Sequence, residues 1–156
     1  MAEDIFAKIG DIKGESTDDK HKDEIEVLSY SWGVANTPPT GPDGAGKAVF
    51  QDVTIVHGID KSTPSLFKVC ATGVHLKDAT ITHRKAGPAR HEYLIVKLND
   101  VLITSVSHTA TADQQDFESV TLSFGKVHLE YRPQRPDGTP DTPVQFKFDL
   151  KSNKAG

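Results

Sequence analysis

The chain has 156 residues, of which 36% are hydrophobic and 26% charged, and its formal net charge is −4. That length suits one domain, 1–156, with a sizeable core. The acidic balance argues against a nucleic-acid binder, which needs a basic face to displace phosphate counterions.

Taken in chain order, period-2 alternation dominates and predicts strands. The start, MAEDIFAKIGDIKGES, is acidic and alternates at once, so it does not read as a signal peptide. Ile5 to Ile12 begins as a strand. Residues 10–23, GDIKGESTDDKHKD, form a polar loop, and the run Asp18, Asp19, Asp23, Glu24 reads as a solvated charged face. In EIEVLSYSWGV, Glu24 to Val34, the alternation slips: Ile25 and Val27 share one face, whereas Leu28, Tyr30, Trp32 and Val34 share the other. The strand is therefore expected to change sides there, with Ser29 and Ser31 opposite Tyr30 and Trp32. Tyr30 and Trp32, the latter the chain's single tryptophan, suit either a subunit interface or the domain's own core.

The loop Ala35 to Lys47, ANTPPTGPDGAGK, is too rich in Pro and Gly for a regular element of its own and too long for a simple connection. Its GPDGAGK matches part of a phosphate-binding loop, but Ala48 stands where Ser or Thr would ligate Mg²⁺, and a strand rather than a helix is expected to follow. Val49 to Ile59 reads as one strand. KSTPSLFKVCATG, Lys61 to Gly73, predicts the one helix, over Pro64 to Thr72. Thr63 is its expected N-cap, Pro64 its first residue and Gly73 its left-handed stop. Leu66 and Phe67 are expected to dock it on a sheet. Cys70, the single cysteine, reads as a small buried hydrophobe rather than a nucleophile.

Ala79 to Arg84 is a short strand. Tyr93 to Leu98 and Val101 to Val106 flank the turn-prone pair Asn99-Asp100, which predicts a hairpin. Val120, Leu122 and Phe124 alternate, then Val127, Leu129 and Tyr131 alternate in the opposite phase, with Gly125 at the slip, the mark of a bulge or sharp bend. Val144 to Leu150 closes the chain as a strand. The fold class is all-β with one short helix, a small barrel or sandwich.

No catalytic constellation is present. The histidines (His21, His57, His75, His83, His91, His108, His128) lack metal-ligand spacing and are expected at the surface or half-buried. No nucleophile elbow exists, and Ser105, Ser107 and His108 read as polar residues of a strand. No catalytic, cofactor or metal residue is assigned.

DIFAKIGDIKGES, EIEVLSYSWGV, DKSTPSLFKVCATG, THRKAG, EYLIVKLNDVLITSVS and FDLKSN, in this order along the whole chain, resemble the haemolysin-coregulated protein (Hcp) family of bacterial type VI secretion. The resemblance implies a two-sheet β-barrel, similar to phage tail-tube proteins, built into homohexameric rings that stack into a tube. It further implies partners in the sheath and tip proteins and in effector proteins carried in the pore. No nucleic acid, membrane or cofactor is implied. Such a protein is cytoplasmic before firing and then secreted without a signal peptide. The chain stops just after its last strand, so no C-terminal toxin domain is expected. Within that frame Ser29 and Ser31 are the expected pore-wall contacts, and Tyr30, Trp32 and the Ala35 to Lys47 loop the expected subunit interface. The alternative is a β-sandwich carbohydrate-binding module in which Trp32 stacks on the ligand.

Overall fold

The computed structural model describes residues 3–38, 46–87 and 89–156. Its elements are β1 (Glu3–Ile9), β2 (Ile25–Ser31), β3 (Val34–Thr37), β4 (Lys47–Phe50), β5 (Val53–Gly58), α1 (Ser62–Thr72), β6 (His75–Lys85), β7 (Glu92–Thr109), β8 (Phe117–Ser123), β9 (Lys126–Tyr131), β10 (Val144–Asp149) and β11 (Lys154–Ala155). Eleven-residue α1 is not long and apolar enough to cross a membrane, nor is any other helix among the described residues. The main sheet runs β11-β10-β9-β7-β6-β1-β2-β5-β8, and a further β7–β8 pairing joins the sheet to itself. That pairing closes β7-β6-β1-β2-β5-β8 into a six-stranded barrel and leaves β9, β10 and β11 as a flange hanging from β7. β3 and β4 make a separate two-stranded sheet.

Strand β7 makes this possible. Its first half pairs with β6 and β9, and its second half pairs with β8. The hairpin expected at Asn99-Asp100 is absent. β7 runs unbroken for 18 residues: Asp100 takes the left-handed conformation (φ 55°), and pairing with β6 continues on both sides of it, at Asn99 and at Val101. The chain turns instead between Thr109 and Phe117. Gly125 lies across from Asp100, where a Cβ would come within 3.1 Å of that side chain, and the strand bends there from β8 into β9. The slip at Gly125 is thus a sharp bend.

The slip in β2 is a bulge. Register to β5 shifts between Val27 and Ser29, leaving Leu28 as the extra residue. The bulge does not send Tyr30 and Trp32 to the other side of the barrel, as the alternation had suggested. It restores phase, so Ile25, Val27, Tyr30 and Trp32 all pack on the core, while Leu28 and Val34 stand exposed. A matching shift in β7 between Ile103 and Ser105 keeps Val101, Ile103 and Val106 on that core.

Other boundaries moved for local reasons. β1 stops at Ile9, where Gly10 turns left-handed. The strand expected over Val49 to Ile59 divides at Gln51-Asp52. Part of the loop expected to be irregular is regular, since Val34–Thr37 pairs with Lys47–Phe50; its residues 39–45 lie outside the described residues. Phe50 ties this hairpin to the barrel and flange through ring contacts with Phe124, Phe146 and Phe148.

Helix α1 begins at Ser62, earlier than expected, so Lys61 rather than Thr63 stands at the N-cap position, and Asp60 just before it accepts the Ser62 N–H on Oδ1 at 2.8 Å. Thr63 answers by accepting the Asp60 N–H at 3.2 Å. Gly73 ends the helix at φ 67°, and the N–H of Val74 reaches back to Val69 O at 3.2 Å, closing a Schellman motif. Leu66 is fully buried, and Cys70 is half-buried against the core. Phe67, expected to dock with Leu66, is 39% exposed, its ring in a T-shaped contact with His108.

Nor is the charged stretch around Asp18 simply solvated. Arg84 on β6 is buried, and its guanidinium grips the Asp18 carboxylate through two bonds of 2.8 Å and Asp4 at 2.9 Å. Arg84 also lies over the Phe6 ring, on which the buried His21 stacks at 4.4 Å. His21 in turn bridges Glu24 (3.0 Å) and Glu92 (2.7 Å). The segment 10–24 is thereby clamped over β1 and β6. The hydrogen bond to Arg84 holds the Asp18 carboxyl well below the usual carboxylate range.

Two outcomes are expected. Leu66→Ala should cost about 2–5 kcal/mol in urea denaturation because it empties a sealed site, whereas Phe67→Ala should cost well under half of that; equal costs would contradict the placement of the helix. For the clamp, a depressed Asp18 pKa means that its stabilisation is present above the unfolded value of ~3.9 and is lost as pH falls below it. Asp18→Asn should therefore be less stable than the parent at pH 7, with the gap beginning to narrow only below about pH 4 and closing as the pH falls through the depressed folded-state value. A gap that does not change with pH would show that the ion pair contributes nothing.

Candidate functional site

The outward face of β2, β5, β8 and the second half of β7 is built from small hydroxyl residues. Ser31 pairs with Thr54, Thr54 with Thr121, and Thr121 with Ser105. One step along, Ser29 pairs with Val56, Val56 with Ser119, and Ser119 with Ser107. Directly opposed residues in antiparallel strands share a face, so these are two continuous rows across four strands. Neither row contains a charged side chain. Ser29, Ser31, Ser105 and Ser107 are exposed and the others half-buried. Thr54 and Thr121 hydroxyls meet at 3.5 Å, and the Thr104 hydroxyl donates to the Thr121 carbonyl at 3.3 Å. Both bulges matter here: without the resets at Leu28 and Thr104, hydrophobic residues would occupy this face. Ser29 and Ser31 thus stand opposite Tyr30 and Trp32, as the alternation implied, and Ser105 and Ser107 join them from distant sequence.

Beneath this surface lies a polar group that the sequence reading passed over. His57 and Glu118 are 1% and 0% exposed, paired across β5 and β8, with His57 Nε2 2.6 Å from Glu118 Oε2. The two are close enough for an ion pair but poorly aligned for a hydrogen bond. Thr63 donates to the same Glu118 oxygen at 3.3 Å, and Asp60 Oδ2 stands 4.0 Å from His57 Nδ1. The group fastens the start of α1 to the barrel wall and is sealed from solvent. It corrects the expectation that all the histidines are surface or half-buried, as does buried His21. A signal was present: His57 falls in phase with Val53 and Ile55, and Glu118 in phase with Val120 and Leu122. Among the described residues no group of three His, Cys, Asp or Glu is arranged to hold a metal ion.

Tyr30 and Trp32 are half-buried in their own chain. The Tyr30 hydroxyl lies 2.6 Å from His83 Nε2, and Tyr93 bonds both His83 (3.3 Å) and Glu3 (2.9 Å). Burial pushes both tyrosine hydroxyls up to about 12 and pushes the His83 imidazole down. Trp32 stands edge-on to Phe124 at 6.3 Å. Of the phosphate-loop-like GPDGAGK, Gly46 and Lys47 are described, and Lys47 opens strand β4 rather than a helix, so the helix N-terminus that such a loop uses is missing.

A wall of short, neutral hydroxyls has a definite chemistry. It offers hydrogen bonds in both directions, keeps a low profile, and holds no fixed charge that would bind one partner tightly. It suits contact with varied polar surfaces and provides no activated nucleophile or base.

Comparison with known proteins agrees with the fold. Residues 6–131 match the family model described as type VI secretion system effector, Hcp. The chain is 43% identical to Protein hcp1 of Pseudomonas aeruginosa over 98% of both chains. Among solved structures it resembles Hcp1 from Salmonella typhimurium (39% identity, the whole of both chains, TM-score 0.84). It also resembles a type VI secretion system effector from Yersinia pestis (34% identity, 94% of this chain and 99% of that one, TM-score 0.79). With the family model matched over most of its length and a relative 43% identical along 98% of both chains, the chain belongs to the Hcp family of the type VI secretion system.

Proposed function

We propose that this protein is the ring-forming tube subunit of a type VI secretion machine and a carrier for small effectors. Six copies close into a ring, rings stack into a tube inside the sheath and behind the tip proteins, and the hydroxyl rows line the lumen. The ring assembles in the cytoplasm and leaves the cell with the tube when the sheath contracts. The observation that carries this reading is the pair of charge-free rows through Ser29 and Ser31. A passage that accepts and releases different proteins needs a wall that binds each of them weakly. The rest of the molecule supports it: the buried polar group is inaccessible, so the barrel acts as a scaffold and not as a reaction chamber.

A closed ring needs two different, complementary patches on each subunit. The β3–β4 hairpin supplies one. Val34 and Val49, 55% and 53% exposed, stand on its two opposite faces, the element is held to the barrel mainly through Phe50, and the accessible edges of Tyr30 and Trp32 adjoin it in sequence. Apolar groups presented in this way meet a neighbouring subunit or ring.

Native mass spectrometry should find six copies at micromolar concentration. Val34→Ser with Val49→Ser should leave the melting temperature of the barrel nearly unchanged and weaken the six-fold particle; a variant that assembles like the parent would remove the hairpin from the interface. Ser31→Gln tests the lumen. It lengthens a neutral side chain on the wall and should leave the ring mass intact while lowering the amount of small effector that co-purifies. Unchanged retention would take Ser31 out of the lumen, and loss of the hexamer would put it between subunits.

A further inference from the structure

On the opposite side of the barrel the exposed face carries a row of a different kind. Lys8 on β1 pairs with Thr80 on β6, Thr80 with Lys97 on β7, Lys97 with His128 on β9, and His128 with Lys147 on β10. Five strands thus place three lysines and a histidine in one continuous row across the sheet. The alternation fixes their direction: Ala7, Ala79, Val96, Val127 and Phe146, each one residue before its row member, face the core. Lys8, Lys97 and Lys147 are exposed. Among the described residues Lys126 is the only lysine with a carboxylate within 4.0 Å, and it stands in the next row. The acids beside the row are mostly engaged elsewhere. Glu130 pairs with Arg132, and Asp149 takes Lys126 and the N–H groups of Lys151 and Ser152, which leaves Asp78 beside the row, and Asp19 and Asp23 at its β1 end, as the neighbouring carboxylates without an ion-pair partner among the described residues. At the β1 end Lys8 borders a depression shared with Lys13, Lys20 and Lys22 and with Asp19, Asp23 and Glu24.

The row's spacing is regular. Its lysines occur on every second strand, and strands lie ~4.8 Å apart, so the cations recur at roughly 10 Å. An α-helix advances about 1.5 Å per residue, so carboxylates one heptad apart recur at about 10.5 Å. The geometry points to a docking site for an acidic helix of a partner protein, laid across β1, β6, β7, β9 and β10 with one carboxylate per lysine. A second copy of this chain cannot supply that helix, since α1, STPSLFKVCAT, contains no carboxylate and is the only helix among the described residues. Nucleic acid fits poorly: the row has no Phe, Tyr or Trp for stacking, no arginine, and a chain of net charge −4 behind it. In the barrel order β1-β2-β5-β8-β7-β6, the row's β1 and β6 lie across from the β8 and β5 of the hydroxyl rows. This rests on the proposed ring: if the hydroxyl rows face the lumen, the lysine row faces outward, toward whatever encloses the tube.

The test uses the assembled ring and a labelled helical peptide of about three heptads with one Glu per heptad on one face. Anisotropy should show saturable binding at about 0.05 M salt that is largely lost at about 0.5 M. The Gln version of the peptide should bind at least about fivefold more weakly. Lys97→Gln should weaken binding roughly two- to fivefold and Lys97→Glu roughly tenfold, with ring mass unchanged. Equal binding of the Gln peptide, or no effect of Lys97→Glu, would overturn the site. So would duplex DNA of matched charge competing better than the peptide, which would make the row a nucleic-acid surface, or loss of the ring in Lys97→Glu, which would make it a subunit contact. The two readings fail separately. A monomer that still binds the peptide through Lys97 would sink the ring and keep the row, whereas a ring with an effector-retaining lumen and no peptide binding would do the reverse.

Discussion

The structure depends on one strand belonging to two layers. β7 pairs with β6 along most of its first half and into its second, and it carries β9 on its other edge before handing that edge to β8. The β8 contact closes the barrel; the β9 contact founds the flange. Closure removes the unpaired edges that a six-stranded sheet would expose, and it leaves the flange as the place where an edge persists. Asp100 and Gly125 face one another where the change occurs. A left-handed residue on one strand and a missing side chain on its neighbour let two long segments bend together without losing register.

Closure also sorts the surface. Once the barrel exists, every strand has an inner and an outer face, and the bulges at Leu28 and Thr104 keep hydrophobic residues inside despite broken alternation. The outer face that results is divided into a neutral hydroxyl side and a lysine-bearing side. Between them the Arg84–Asp18 clamp and the His57–Glu118 pair fix the two excursions from the barrel, the 10–24 segment and α1. Buried polar pairs add little net stability against an apolar alternative. We read them as fixing where those excursions sit.

Much of this was legible in the residues. The strands announced themselves by alternation, Gly73 by its place after a helical stretch, and Gly125 by a phase change. The slip after Val27 was visible too, but its meaning was not. Alternation alone cannot distinguish a strand that crosses to another surface from one that absorbs an extra residue and continues. Asn99-Asp100 misled because a turn-forming pair also tolerates the left-handed kink that a continuous strand needs. Asp18 looked solvated because its partner, Arg84, is remote in sequence, and long-range pairing leaves no local trace. Ser29 and Ser31 stood out as candidates, while Thr54, Ser105, Ser107, Ser119 and Thr121 joined them only when register placed four strands side by side.

In the proposed ring the two sides of the barrel face different surroundings, hydroxyls toward a lumen and lysines toward the outside. A cryo-electron microscopy reconstruction of the assembled particle tests it most directly. The account predicts a six-fold ring with Ser31, Thr54, Thr121 and Ser105 on the inner wall and Lys97 on the outer one. A ring with the hydroxyl rows buried between subunits, or with Lys97 in the lumen, would contradict it.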